Sequence, residues 1–550
     1  MDIILCHANI KTMDPACPSA QALAIRDHKI AALGSDDEVL ALKTDRTRVI
    51  DLGGAFLLPG FIDSHMHMMD TAFLRTKLDL GACKSFAEVK ALVCREADRI
   101  RALNAREPGK VRWINGVNFN QNNWQDTHAI PTRLDLDEIT GEIPCYLLRV
   151  CGHIACHNTA GMAAMGLMSE RPGTLRKMTF FEDGTPTGQL FESDADPAEQ
   201  FTDKPQLEDY KRWIREETAR YACLGLVAIH SDDLNIVDPG HDALLVMQAF
   251  KECAEAGDMT IRVYEQCRIE DSKQIRTFAA AWPWGTVFGS DAKFKTVSFK
   301  QMMDGSLGAH SANMRHGYLN DPQAKGIAVH TDDEIRALVR AASECGYPVV
   351  AHSIGDAAVD QLLNAFDDAE AVTGKRLRNG VVHCQIMGFD QLERMAHKDI
   401  LAYVQPVFIG TDAAIVEDCV GPEIAAQSYN WRRMADLGIH ISGGSDCPVE
   451  SNDPINNIYY AVTRDGGHGQ AWYPQGGLTI EEALRAFTIE GAYAAGEEDR
   501  RGSLTVGKYA DIVVLDRDLT AIDPRTIRET KVLMTMVDGE IVYFSCSLNS

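Results

Sequence analysis

The 550-residue sequence is short of positive charge: 54 Lys and Arg stand against 79 Asp and Glu, a formal net charge of −25. That balance argues against binding nucleic acid or an anionic membrane surface, both of which reward clustered basic residues. It leaves a small-molecule substrate open. No apolar run approaches the roughly 20 residues that span a bilayer, so no membrane partner is expected. The 15 cysteines contain no Cys-x-x-Cys pair. They are scattered, and several sit inside apolar runs, such as Cys145 in PCYLLRV and Cys223 in ARYACLGLVAIH, where a thiol behaves as a small hydrophobe. The opening MDIILCHANIKTMD lacks a basic segment followed by a long apolar stretch. A reducing cytoplasm with no signal peptide is the expectation.

What is present is a folded, globular composition, 45% hydrophobic and 24% charged. The length suggests several domains, although an α/β barrel with insertions absorbs much of it. Residues 1–56 and 503–543 both read as short β-like runs, and between them strand and helix alternate. That order predicts a parallel sheet with helical crossovers. The expected fold is α/β: a TIM (β/α)₈ barrel over residues 57–499, with a small β-sandwich domain built from both chain ends, 1–56 with 500–550. Nine strand candidates fall in the core, at 57–65, 144–150, 226–231, 259–265, 296–304, 347–352, 379–384, 401–405 and 439–446. A barrel needs eight. The surplus candidate, 144–150, is assigned to an insertion at roughly 85–200, expected to cap the active-site mouth where βα loops gather.

The chemistry begins in LLPGFIDSHMHMMD, where His65 and His67 stand two residues apart at the end of an apolar run. Strand side chains at i and i+2 share a face, so both imidazoles would converge, and neutral imidazole is the commonest metal ligand. The pair alone is not diagnostic. Four downstream segments join it. In TVSFKQMMDGSLG, Val297 and Phe299 alternate with Ser298 and Lys300, which turns Lys300 into the barrel if the apolar pair faces the helices. YPVVAHSIGDAAVD runs to His352, GVVHCQ to His383, and HISGGSDCPVESNDP passes through paired glycines to Asp446. Each has an ordinary alternative: a surface lysine, a satisfied core histidine, an Asx-turn. Together they fall at the C-terminal ends of expected barrel strands, the face on which TIM-barrel enzymes do their chemistry.

The ordered set His-x-His, Lys, His, His, Asp resembles the amidohydrolase superfamily of metal-dependent hydrolases, in particular its YtcJ-like branch, which includes N-substituted formamide deformylases. TGQLFES, LGLVAIHSDD and GSLTVGKYADIVVLD also match, and the likeness runs from about residue 20 to 543. The resemblance implies that His65, His67, Lys300, His352 and His383 bind one or two divalent metals, with zinc the first candidate, and that Lys300 is open to carboxylation by CO₂ into a bridging carbamate. It implies hydrolysis of an exocyclic, amide-type C–N bond (N-acyl or N-formyl) by metal-activated hydroxide, with Asp446 as general base and then general acid. His153 matches a histidine that the branch tends to keep. His153, Glu192 and Asp304 are the candidate substrate contacts, each as readily structural. Trp113 and Trp124 flank an Asn-rich run and are expected to pack. The chain departs from the branch at Ala309-His310-Ser311, after DGSLG, and at Cys447, after GSD.

Two rival readings stand beside this one. A deaminase or cyclic-amide hydrolase would use the same metal shell. A noncatalytic regulatory or binding protein would keep the barrel without turnover. A homo-oligomer is left open.

Overall fold

The computed structural model describes residues 2–107, 109–150, 153–191, 204–235, 242–467 and 469–545. The chain divides into two compact units, Met1–Asp70 with Gln206–Ser550, and Thr71–Pro205.

In the first unit, eight parallel strands form one sheet among the described residues: β1 (Phe61–Met66), β2 (Leu226–Ser231), β3 (Arg262–Arg268), β4 (Phe294–Met302), β5 (Val349–Ser353), β6 (Gly380–His383), β7 (Leu401–Val404) and β8 (Ile441–Gly443). They lie side by side in chain order, each hydrogen-bonded to the next. Their residues are buried almost throughout, as a sheet covered on both faces requires, and the strands β2, β5, β6 and β7 read as largely apolar runs. The first and last strands meet through the hydroxyls of Ser64 and Ser442, 2.5 Å apart. Beyond the strand ends, the amide of Asp446 donates to the His65 carbonyl at 2.8 Å and that of His67 to the Cys447 carbonyl at 2.7 Å. The sheet therefore closes toward a TIM barrel.

Residues from both chain ends build two further sheets. One has four strands, Ile3–Cys6, Ala22–Arg26, Lys29–Gly34 and Arg48–Asp51; the other interleaves Asn9–Lys11 and Phe56–Pro59 with Ile512–Leu515, Val532–Val537 and Glu540–Phe544. Leu5, Leu23 and Ile25 from the first share one apolar cluster with Ile10, Leu57, Ile512, Val514, Met534 and Met536 from the second. The expected strand 57–65 is in fact two strands. Phe56–Pro59 pairs with Ile512–Leu515 in the end sheet, whereas Phe61–Met66 enters the barrel. Gly60 makes the switch. A Cβ there would lie 2.1 Å from Val227 Cγ1, so no larger residue fits.

The second unit carries its own sheet of Leu78–Asp79, Ile114–Phe119, Cys145–Arg149, Ile154–His157, Pro186–Phe191 and Met178–Phe180. The surplus strand, Cys145–Arg149, lies in this sheet and outside the barrel. Trp113 and Trp124 are buried within this unit, and Trp124 stacks on Phe86 at 5.3 Å between ring centres. No described helix is long and apolar enough to cross a membrane.

Opposite the mouth, the barrel is tied to the end sheets by a buried ionic network. Arg262, at the start of β3, is fully buried and donates to Asp511 at 2.9 Å and to Asp538. Arg501 lies 3.5 Å from Asp511, and Lys293 lies 3.5 Å from Asp538. Removing one partner of a buried pair strands the other's charge in low dielectric, at a cost of roughly 3–5 kcal/mol. Arg262→Ala should therefore lower the denaturant midpoint of the full chain sharply. Arg433→Ala, which breaks the exposed pair with Glu393, should leave it nearly unchanged. Equal midpoints for the two variants would show that the network does not anchor the barrel.

Candidate metal centre

The sequence places its chemistry just where the barrel strands end. His65 is the fifth residue of β1 and His67 follows the strand; their rings lie edge to face, 5.1 Å between centres. Lys300 is carried by β4, buried, with its Nζ 3.3 Å from His65 Nε2. His352 on β5 and His383 at the end of β6 stand 4.5 Å apart between ring centres, and His65 and His383 stand 5.9 Å apart. Asp446, three residues beyond β8 and in the left-handed region at φ 60°, directs Oδ1 to His67 Nε2 at 2.9 Å and to His65 Nε2 at 3.3 Å. One ligand atom each from His65, His67 and Asp446 fall within 4.8 Å of one another. The six residues named from the sequence thus come together.

Three further residues hold these side chains in place. Gln266 on β3 presents Oε1 to His65 Nδ1 at 3.0 Å, with its own amide nitrogen donating to the Ser64 carbonyl. Gln405, just after β7, presents Oε1 to His383 Nδ1 at 2.8 Å. Asp232, one residue beyond β2, pairs through Oδ1 with His67 Nδ1, and its Oδ2 lies 3.3 Å from Lys300 Nζ. An acceptor on Nδ1 fixes the tautomer with its proton there and frees Nε2. Sequence reading overlooked all three. Asp232 lies in the matching segment LGLVAIHSDD, but Asp233 beside it offers the same group, and nothing in the pattern separates them. Asp233 turns instead to the Met69 amide, which donates to its Oδ1 at 2.8 Å.

The electrostatics suit metal ligation. Burial, helped by the Lys300 charge, lowers His65 below the ordinary histidine range. Burial likewise drives His352 well down and His383 to about 3. These imidazoles are neutral, with a lone pair to give. Burial alone would raise Asp232 and Asp446, but the charges of His67 and Lys300 hold Asp232 down, and the histidines that face Asp446, His67 hydrogen-bonded to it among them, hold that carboxyl well below the usual carboxylate range. His67 is the exception. Burial would lower it, yet the carboxylates of Asp232 and Asp446 raise it well above its ordinary value. A positive charge is thus demanded between two carboxylates, and a divalent metal meets that demand. Neutral imidazoles and ionised carboxylates together form the nitrogen and oxygen donor set that Zn²⁺ and its neighbours accept. The residues fit the group.

The remaining candidates sit elsewhere. Asp304 is buried and accepts from the amides of Asn313, Ile354 and Gly355 at 2.8–3.0 Å. It lies 3.8 Å from His352 Nδ1, beyond hydrogen-bond reach, and two of those amides belong to the backbone that follows His352. His153 is an exposed residue of the second unit. Glu192 lies outside the described residues.

An eight-stranded parallel sheet closing toward a barrel, with histidines and aspartates gathered at its C-terminal ends, places a candidate metal centre where barrel enzymes carry their active sites. A family model described as the Amidohydrolase family matches residues 48–543. The chain belongs to that family and is an amidohydrolase, a hydrolase acting on carbon–nitrogen bonds. It is similar to YtcJ of Bacillus subtilis (strain 168), 28% identical over 97% of this chain and 98% of that protein. It is also similar to an N-substituted formamide deformylase of Arthrobacter pascens, 25% identical over 98% of each chain. Among solved structures, an uncharacterized metal-dependent hydrolase from Pyrococcus furiosus matches at a TM-score of 0.75, with 25% identity over 94% of this chain and 99% of the other.

The orienting role of Asp232 is testable. Residues that hold a ligand's far nitrogen typically contribute 10–100-fold in metal affinity. Asp232→Asn should weaken binding of the barrel metal by about that factor in an equilibrium competition against a chelator. Unchanged affinity would remove Asp232 from the centre.

Proposed function

We propose that this amidohydrolase cleaves an exocyclic, amide-type C–N bond, N-acyl or N-formyl, in a small molecule. The observation that carries the reading is the convergence of His65 Nε2, His67 Nε2 and the ionised Asp446 Oδ1 at the barrel mouth. The full-length likeness to an N-substituted formamide deformylase supports the choice of bond. His65, His67, His352 and His383 would hold the metal, with zinc the first candidate for this donor set. When bound, a divalent metal supplies a nucleophile at neutral pH and polarises the scissile carbonyl.

The protein's own groups do the rest. Asp446, ionised and facing the histidines, takes the proton of the attacking water and returns it to the departing nitrogen, which leaves as an amine. Gln266, Asp232 and Gln405 keep the imidazoles in one tautomer throughout. Lys300 stands close enough to His65 for its amine, carboxylated by CO₂, to bring oxygen ligands to the same centre. The two end sheets, sharing one apolar cluster, we read as a small β-sandwich that braces the chain leading into β1.

Two variants test these roles. Asp446→Asn keeps the shape but loses the base, so kcat on N-formyl and N-acyl amines should fall by roughly 10²–10⁴-fold while metal content stays near that of the unsubstituted protein. Turnover within a few-fold of the original would assign proton transfer to another group. Lys300→Ala should lower the number of metal equivalents bound per chain, and short carboxylates should partly restore it. Full occupancy in Lys300→Ala would show that the lysine takes no part in holding metal. The same substrate panel, extended to aminopurines, cyclic amides and lactams, separates this reading from a deaminase or a cyclic-amide hydrolase.

A further inference from the structure

A second set of metal-binding side chains lies in the N-terminal sheet and shares no residue with the barrel centre. Cys6 ends the strand Ile3–Cys6 and is buried. His7 follows with φ 51°, the left-handed region that non-glycine residues seldom adopt. Successive strand residues normally point to opposite faces. The turn at His7 defeats that alternation, and Cys6 Sγ comes to 3.9 Å from His7 Nδ1. Asp51 is the parallel partner of Cys6 in the neighbouring strand, and its Oδ2 lies 2.8 Å from the same His7 nitrogen. Asp36, on the helix Asp36–Leu40, accepts the His7 amide at 2.7 Å. One ligand atom each from Cys6, His7 and Asp36 lie within 4.8 Å of one another.

We propose that Cys6, His7, Asp36 and Asp51 form a second transition-metal site, with zinc-type donor chemistry and a structural role. Thiolate, imidazole and carboxylate are the ligands of structural zinc, at about 2.3 Å for sulfur and about 2.0–2.2 Å for nitrogen and oxygen. In a tetrahedron those lengths separate ligand atoms by roughly 3.3–3.6 Å. The Sγ–Nδ1 and Oδ2–Nδ1 distances of 3.9 and 2.8 Å bracket that span, and a ligand atom of Asp36 lies within 4.8 Å of those of Cys6 and His7. Two carboxylates, Asp36 and Asp51, stand beside the His7 amide and imidazole and supply negative charge that a divalent cation would balance. Binding breaks the S–H bond, forms the sulfur–metal bond and releases the proton to solvent; the proton that His7 Nδ1 shares with Asp51 is displaced likewise. The bound ion would pin the first strand, the strand Arg48–Asp51 and the intervening helix to one point.

Cobalt(II) is the probe, because thiolate coordination gives an intense sulfur-to-metal charge-transfer absorption that imidazole and carboxylate ligands lack. Tag-free, thiol-reduced full-length protein should bind one equivalent more cobalt than Cys6→Ser or His7→Ala, and the absorption should vanish in Cys6→Ser. Should Cys6→Ser fail to fold, as judged by circular dichroism, the exposed-site variants His7→Ala and Asp51→Asn carry the comparison, and each should lose the extra equivalent. Equal stoichiometry in all folded forms, or an absorption that survives in Cys6→Ser, would overturn the proposal. Neither readout depends on turnover at the barrel, so failure there and failure here are distinguishable.

Discussion

Several histidines can serve one metal only if each offers a defined nitrogen to the shared point, and a neutral imidazole has only one lone pair to offer. The barrel meets that constraint by placing an acceptor behind the ring: Gln266 behind His65, Asp232 behind His67 and Gln405 behind His383. The two glutamine carbonyls orient without adding charge, and the one carboxylate sits behind the histidine that also faces Asp446. The buried charges therefore alternate: Lys300 against Asp232, Asp232 against His67, His67 against Asp446. A buried network of this kind holds only when each member has its partner. The same low dielectric that makes each pair strong makes a missing member expensive.

The same logic explains why the centre spans nearly the whole circumference. His65, Asp232, Gln266, Lys300, His352, His383, Gln405 and Asp446 come from, or just after, all eight strands in turn. Each strand, or the residues just after it, contributes a polar side chain, and partners come from the neighbouring strand, as Gln405 for His383, or the next but one, as Gln266 for His65. The contributions are spread over some 380 positions of sequence, yet every one hangs on a buried, hydrogen-bonded strand rather than on a free loop. Positional precision comes from the sheet.

This also sets what the sequence could disclose. A histidine at the end of a β-branched run, as in GVVHCQ, carries a signal in both composition and place, and barrel strands such as Val349–Ser353 and Leu401–Val404 were legible for the same reason, as short apolar runs. Lys300 was legible through alternation with Val297 and Phe299. The glutamines were not, because Gln266 and Gln405 are uncharged residues with no chemistry of their own to flag them, and they acquire meaning only when a ring from another strand stands in front of them. Asp232 was hidden by its neighbour Asp233, since two adjacent aspartates past a strand end cannot be ranked without knowing where the chain turns. The break at Gly60 was invisible for a different reason. Phe56–Pro59 runs on into Phe61–Met66 with nothing in the sequence but Gly60 between them, and only the strand pairing shows that the run serves two sheets.

That break links the far ends of the chain to the chemistry. Phe56–Pro59 is held on one side by Asn9–Lys11 and on the other by Ile512–Leu515. The Gly60 amide then donates to the Asp511 carbonyl at 3.0 Å, and five residues later the chain presents His65. Asp511 is also the residue whose side chain receives Arg262. The strand that carries the first two histidines is therefore clamped at its start by both chain termini and by the buried ionic network, and at its end by the Asp446 and Cys447 backbone. A strand fixed at both ends has little freedom to shift its register, and a shift of one residue would turn His65 to the opposite face. The end sheets, remote in sequence from each other, thus serve the centre by fixing the position of one strand.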